Sequence, residues 1–531
     1  MSEMNNQYDA IVIGGGHNGL INAAYLAKAG LNTLILERRH LVGGAAITEE
    51  LLPGYKFTTF SYALSLIRPD IIQDLDLVNH GMLNLPMPST LQGSLDGHSM
   101  LMGPDRYENY HEIAKFSRKD AEAYWDFSHM MDRVCHAIKP LVDSMAPNVR
   151  SQDPVELARM AEFTGYIEGL EPDVQAMIQR FWENSAASIL EDYFETEIVK
   201  SWIASSAIIG SKASPRSKES GVILLFHKMG EYDGHFGDWG FHKGGNGGFT
   251  QTLARAAQSL GATILTEAPV SGLIYGDGVA RGVRLQDGRE FFAPTIVSAL
   301  DPRNTFTRLV DPADLPGDLV EAVTKFKFQG TASKVNFALS AIPTCPGLED
   351  RPDAFRGFLN LGPSLDYLEE AFQDCLEGRF SRRPFLDCCV QSTIDPDMSP
   401  PGKHVMSCFV MYTPYHLAES NWDEQRENLA DAVQATLEEF FPGFSELVLH
   451  REIVTPLDIE RVVGLSEGNI FQGEMFSPQM FFNRPAPGWN QYRTPIAGYY
   501  QCGSGTHPGG CVIGASGKLA ADQILGDLQR V

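Results

Sequence analysis

The stretch YDAIVIGGGHNGLINAAYLAKAGLNTLILERRH, residues 8–40, limits the possible folds more than any other part of the chain. Ala10–Ile13 is a short apolar, β-branched run, the pattern of a parallel strand buried on both faces. Gly14, Gly16 and Gly19 follow in G-x-G-x-x-G spacing and open a helical pattern from Asn18 to Lys28, which Gly30 stops. A second apolar run, Thr33–Leu36, ends in Glu37, 23 residues after Gly14. Each position has a mechanical task. Gly14 permits the tight turn, Gly16 lets a pyrophosphate reach the backbone, and Gly19 lets the helix pack close to the strand. The helix N-terminus faces the phosphate charge and Glu37 accepts from an adenosine ribose. Strand, glycines, helix, strand and acid in register predict an α/β dinucleotide-binding unit of the Rossmann type. His17 and Asn18 lie inside the loop, where phosphate contact or packing is expected ahead of catalysis.

The residues beyond Glu37 choose the dinucleotide. ERRHLVGGAAIT places Gly43 and Gly44 six and seven positions after the acid. This pair resembles the second phosphate-contact motif of FAD enzymes, which a plain NAD dehydrogenase does not need. FAD is the expected cofactor, with Arg38, Gly43, Gly44 and Ala45 among its contacts. A second glycine-rich loop stands near the other end: strand Gly498–Cys502, loop Gly503–Val512 and helix Gly514–Leu525. Its GSGTHPGG lacks the dinucleotide spacing because Pro508 occupies the third position. GGNGGF, at 244–249, is no second fingerprint either, so no dedicated NAD(P) domain is expected.

A chain of 531 residues is too long for one ordinary core and suggests two to four units. Net charge is −25, which disfavours nucleic acid. No apolar run approaches the roughly 18 residues that span a bilayer; the longest, around GVILLF, reads as a strand or short helix. MSEMNNQYDA carries no targeting pattern. The expected location is the cytoplasm, with peripheral membrane contact as a further expectation, or the mitochondrial matrix in a eukaryote. The eight cysteines lack C-x-x-C spacing and read as reduced thiols, and His and Cys spacing offers no metal site.

IGGGHNGL, ERRHLVGGAAITEE, SYALSLIRP, PPGKHVMSCFVMYTPY, GNIFQGEMFSPQMFF and PGWNQYRTPIAGYYQCGSGTHPGG together resemble the phytoene desaturase and carotenoid oxidoreductase-related flavoproteins. Within them the chain is most similar to the branch typified by pyridine nucleotide-disulfide oxidoreductase domain-containing protein 2. The resemblance implies a glutathione-reductase-like, discontinuous FAD-binding domain formed by 7–75, 236–305 and 490–531, with an inserted α+β substrate domain formed by 76–235 and 306–489. It makes the two glycine loops two grips on one FAD, adding Gly503, Ser504 and Gly514 to the contacts and setting the backbone of Val270 against the adenine. There are departures. Ala45 stands where these flavoproteins usually carry arginine, and FTTFSYALSLIRPD replaces an Asp/Gly/Pro segment beneath the flavin. Carotene desaturation therefore does not carry over automatically, whereas hydride chemistry at a flavin does.

The flavin performs the difficult step, so few side chains are demanded. His507 is the candidate proton donor or acceptor; the alternative is a backbone tie beside Pro508. Tyr62, Arg68 and Phe481 are candidates for the substrate face, Arg68 alternatively for a structural ion pair. Trp239, Phe241 and Phe482 line a tunnel or simply pack. The leading expectation is an FAD-dependent oxidoreductase acting on an apolar, isoprenoid- or lipid-like small molecule as a desaturase, saturase or isomerase, with oxygen or a quinone as electron acceptor. An amine or small-molecule oxidase and a non-catalytic flavoprotein are the alternatives.

Overall fold

The computed structural model describes residues 6–218, 220–232 and 235–529. Strand β1 (Ala10–Ile13), helix α1 (His17–Lys28) and strand β2 (Thr33–Leu36) form as the spacing predicts. They open a five-stranded, wholly parallel sheet in the order Thr263–Leu265, β2, β1, Thr295–Ser298, Tyr499–Gln501. β1 is apolar throughout because both faces are covered. Ala10 and Val12 pack in the cluster that holds α1, while Ile11 and Ile13 pack in the cluster under the meander Val270–Gly276, Val279–Leu285 and Glu290–Phe292. The hairpin expected at Asp277-Gly278 is present, both residues at positive φ (55° and 73°).

A seven-stranded sheet is built from other stretches, in the order Val448–Val454, Ala332–Leu339, His404–Met411, Phe385–Val390, Phe358–Leu361, Thr90–Gln92, Met100–Met102. The pairings are antiparallel except Phe358–Leu361 with Thr90–Gln92. One face, with Val335, Phe337, Leu359, Leu386 and Val410, packs on residues of helix Trp422–Phe440. Helices fill most of 106–228; Asp153 caps one of them, accepting from the Val155 amide at 2.8 Å before Pro154.

GVILLF takes the second of its two readings, lying within the short helix Ser220–Lys228. One expectation needs adjustment: the helix expected from Phe249 starts at Gly245, because Gly244 and Gly245 at φ 80° and 72° turn the chain directly into it. The strand before GGNGGF, Gly240–His242, pairs antiparallel with Asn84–Pro86 and is no part of the parallel sheet, so it makes no second dinucleotide unit. No helix among the described residues is long and apolar enough to cross a membrane.

Candidate active site

The two glycine-rich loops meet. Gly43 donates its amide to the Gly15 carbonyl (2.8 Å), so the glycine pair lies against the first loop. Asn18 Nδ2 donates to Ser504 Oγ (3.1 Å), and Asn22 Nδ2 to the Gly517 carbonyl (3.0 Å), stitching α1 to helix Ala515–Leu528. The approach is close enough that a Cβ on Gly517 would lie 2.4 Å from the Asn18 carbonyl oxygen. Gly514 caps the second helix at φ 78°. The N-termini of two helices, each with unpaired amides, are thus brought together.

The first loop fits a dinucleotide. Gly14 has φ 100°, and a Cβ on Gly19 would sit 2.1 Å from the Gly14 carbonyl oxygen, so both glycines are required by the turn and the helix packing. Gly16 differs: a Cβ there meets nothing within 4 Å, leaving an open cradle in front of α1. Glu37 is buried at the end of β2 and accepts from the amides of Gly15 (2.8 Å) and Arg39 (2.9 Å), one on each oxygen. Each oxygen keeps a lone pair. Arg38 is held over Gly464 by the carbonyls of Arg461 (3.1 Å) and Val462 (2.5 Å). Arg39, which the sequence reading passed over, pairs with Glu49 at 2.8 Å and keeps a buried Nη1 without a partner. Val270 begins the meander strand, opposite Leu285. A Cβ on Gly503 would lie 2.4 Å from Gln472 Oε1, and Ser504 accepts Arg484 Nε and Nη2 at its carbonyl (3.1 and 2.9 Å).

A cavity of about 880 Å³ runs from these loops to the second sheet. His17, Ala45, Ser504, Cys511 and Val512 line one end, and Tyr62, Lys334, Phe358, Asn360, Asp387 and Phe409 line the wall formed with the sheet. Trp202 and Trp239 add apolar surface, Trp239 meeting Phe358 edge-on at 5.7 Å. Burial keeps His17 neutral, its pKa lowered to about 4, and its Nε2 has no partner. His227 is likewise lowered to about 4 by burial. Its Nδ1 bonds the Ile223 carbonyl (2.9 Å), leaving Nε2 3.8 Å from Cys511 Sγ.

The wall holds a charged cluster that the sequence reading missed. The Lys334 ammonium sits 4.2 Å from the centre of the Tyr62 ring and bonds Ser407 Oγ. Burial pulls Lys334 down to about 8, partly offset by Cys408 and Glu452. Burial pushes the Asp387 carboxyl up to about 7, opposed by a hydrogen bond from Tyr62 and the charge of Lys334. The available signal was a charge amid buried strand residues, Lys334 in ASKVNFAL and Asp387 in FLDCCV, where an ionisable group is costly without a purpose.

The other candidates lie elsewhere. His507 is outside the cavity lining; its Nε2 bonds the Leu141 and Ser144 carbonyls (both 3.1 Å), and burial lowers its pKa to about 4. That geometry is a tie between helix Arg118–Val142 and the C-terminal loop. Arg68, 2% exposed, pairs with Asp143 (2.8 and 2.5 Å), the structural alternative. Phe481 packs on His507 (4.9 Å), Phe482 and Phe163, away from the cavity, and Phe241 is fully buried. The loops themselves are organised by Arg484. It is fully buried, donates to the carbonyls of Phe471, Gly473, Glu474, Gln479 and Ser504, and burial lowers its pKa to about 9. Among the described residues no group of three or more His, Cys, Asp or Glu is placed to hold a metal ion.

The sequence pattern of the flavin containing amine oxidoreductases matches residues 19–525. The chain is 40% identical to pyridine nucleotide-disulfide oxidoreductase domain-containing protein 2 of Rattus norvegicus, over 99% of this chain and 94% of the relative. It is 25% identical to the limonene dehydrogenase of Castellaniella defragrans (one subunit; 99% and 96% covered) and to prolycopene isomerase 2 of an Oncidium hybrid cultivar (98% and 84%). Two solved structures share the fold. They are an oxidoreductase from Methanosarcina mazei (TM-score 0.61, 17% identity, 98% and 100% covered) and cyclohexylamine oxidase from Brevibacterium oxydans (0.56, 16%, 98% and 100%). With its parallel Rossmann-type sheet and paired glycine loops, the chain belongs to the flavin containing amine oxidoreductase family and is an FAD-dependent oxidoreductase.

Proposed function

We propose that this protein moves hydride between FAD and an apolar, isoprenoid- or lipid-like molecule, as a desaturase, saturase or isomerase. The observation that carries the reading is the cavity of about 880 Å³, whose walls of Trp202, Trp239, Phe358 and Phe409 lead from the glycine loops into the interior. Such a lining solvates hydrocarbon and excludes water. The relatives named for limonene and prolycopene support an isoprenoid class.

On this reading a discontinuous, glutathione-reductase-like domain (7–75, 236–305, 490–531) holds the cofactor, and 76–235 with 306–489 shape the substrate space. Residues 219, 233, 234, 530 and 531 of those spans lie outside the described residues. Gly14, Gly16, His17, Asn18 and Gly19 hold the pyrophosphate at the start of α1, Glu37 the ribose, and the Val270 backbone the adenine. Gly43, Gly44 and Ala45 lie along the phosphates and ribityl chain, with Arg38 flanking them. Gly503, Ser504 and Gly514 bring the second helix N-terminus to the ring, where its amides stabilise negative charge. When bound, FAD supplies a two-electron hydride acceptor or donor. Tyr62 shapes the substrate wall, while His507, Arg68 and Phe481 act outside it as packing and tethering residues.

Anaerobic titration of the purified holoenzyme, followed at ~450 nm where oxidised flavin absorbs, tests the assignment. Limonene or prolycopene is expected to bleach the flavin, or, for a saturase, to reoxidise flavin bleached by NADPH. Bleaching by putrescine or cyclohexylamine, with both isoprenoids inert, refutes it.

A further inference from the structure

We propose that Asp387 is a catalytic residue that exchanges a proton with the substrate, its carboxyl set beside Tyr62 and Lys334 on the cavity wall. The inference rests on the reading of this cavity as the substrate site. Its first support is position. Gln92, Asn360, Asp387, Phe409 and Lys334 are successive partners across five strands, so they form one row on the sheet. Strand residues alternate faces, and those flanking Asp387, Leu386 and Cys388, belong to the opposite, apolar core. The row therefore lies on the cavity side of the sheet, and four of its members, Asn360, Asp387, Phe409 and Lys334, line the cavity.

The second support is that the carboxyl is incompletely satisfied. Asp387 Oδ1 is buried and has no hydrogen-bond partner within the protein. A fold needing only a filled wall is better served by leucine at this position, since a buried acceptor left open is destabilising. The nearby cation does not close it. Lys334 is drawn across the Tyr62 ring and onto Ser407 Oγ. Asp387 lines the cavity and is only part-buried, so its carboxyl is open to a molecule there while Oδ1 lies beneath, buried and unpaired.

The third support is acid strength. Burial raises Asp387 to about 7 and lowers Lys334 to about 8, so both change charge near neutral pH, where proton exchange is most effective. Ionisable groups facing the pair are Tyr62 from the loop after the glycine pair and Cys389 on Asp387's own strand, whereas Cys388 and Cys408 lie on the opposite face of the sheet. Glu452 lies beyond Lys334, with its carboxylate taken by Asn336 Nδ2 at 3.0 Å. Tyr62, Cys389 and Cys388 have pKa values raised by burial and stay neutral.

The chemistry balances. When a saturated carbon pair becomes a double bond, one hydrogen leaves with two electrons as hydride to FAD, and the other leaves as a proton. The Asp387 carboxylate takes that proton and ends as the neutral acid. In the direction of saturation the neutral acid gives it back.

The test compares wild-type holoenzyme with Asp387→Asn and Asp387→Glu. Infrared difference spectra between pH 5.5 and 8.5 read the C=O stretch of a buried protonated carboxyl. Anaerobic flavin bleaching by limonene reads catalysis. Burial also raises Glu452 and Glu474 to about 7, so the Asp387 share of the band is read as wild type minus Asp387→Asn. We expect Asp387→Asn to retain FAD, lose that share and bleach at least about 100-fold more slowly, and Asp387→Glu to recover part of both. A titrating band of undiminished intensity in Asp387→Asn overturns the proposal whatever the substrate proves to be. So does a bleaching rate within about 3-fold of wild type, a margin far inside the general acid–base range. If only putrescine or cyclohexylamine bleaches the wild type, and neither isoprenoid bleaches it or reoxidises flavin bleached by NADPH, the isoprenoid reading falls. The same comparison with that amine, whose oxidation also releases a proton, then decides Asp387, an unchanged rate overturning it and a comparable loss sustaining it.

Discussion

Replacing Gly16 with valine should separate cofactor binding from folding. Gly16 sits at φ −68°, ψ 169°, a conformation open to any residue, and a Cβ there meets nothing within 4 Å. The empty protein should therefore fold and melt as before. The valine methyls, however, occupy the space in front of the first amides of α1, where a pyrophosphate would need to come within hydrogen-bond distance. Losing two charge-assisted hydrogen bonds, at about 1.5–3 kcal/mol each, removes about 3–6 kcal/mol of binding. That weakens FAD by about 10²- to 10⁴-fold, at ~1.4 kcal/mol per decade. The checks are the FAD-to-protein ratio after gel filtration, the Kd of added FAD by fluorescence, and the apoprotein melting curve. Gly19→Val is the contrast: its Cβ would fall 2.1 Å from the Gly14 carbonyl, so that variant should fail to fold. Stoichiometric FAD in Gly16→Val would refute the argument, as would a melting loss matching that of Gly19→Val.

Arg484→Met removes a fully buried guanidinium from the carbonyls of five residues, and we expect a loss of about 3–5 kcal/mol in urea unfolding, with FAD released early. Asp143→Ala leaves Arg68 buried beside no carboxylate; because the Asp143 side chain is 33% exposed, the expected loss is only about 2 kcal/mol in the same assay. His507→Gln should lower stability by about 1–2 kcal/mol through its two carbonyl ties while leaving the pH profile of flavin reduction unchanged. The Asp387 carboxyl, raised from 3.8 to about 7, holds its proton more tightly in the folded chain than in the unfolded one. Its contribution to stability is therefore greatest below pH ~4 and declines as pH rises from ~4 to ~7. Asp387→Asn should flatten that decline in melting temperature.

The elements with local signatures were legible in the sequence. β1, α1 and β2 announce themselves through spacing, and the strand Tyr499–Gln501 through its glycine loop. Lys334 and Asp387 were not legible because their meeting depends on register. Their strands are paired through a third, His404–Met411, and Tyr62 reaches them from a loop 272 positions before Lys334. Arg484 gave no signal either. An arginine before proline in a loop reads as solvated, and only the crossing of the 471–479 and 503–505 segments buries it. His507 stayed open for the opposite reason, since a histidine in a glycine loop suits either proton transfer or a backbone tie until its ring nitrogen is seen between two carbonyls. The Gly245 helix start was missed because four glycines in six residues conceal a helix that tertiary packing stabilises.

The order of strands in the parallel sheet also bears on how the protein is made. β1 and β2 leave the ribosome early, but the sheet's far edge, Tyr499–Gln501, and the helix stitched to α1 are synthesised several hundred residues later. At about 5–20 residues per second, the first glycine loop waits roughly 25–100 s for its counterpart. Throughout that interval one side of the nascent sheet is bare, and Asn18 and Asn22 have neither Ser504 nor Gly517 to bond. A chain that stalls before residue 499 presents chaperones with an open apolar edge, and the yellow colour of bound flavin becomes a sign that translation passed that point.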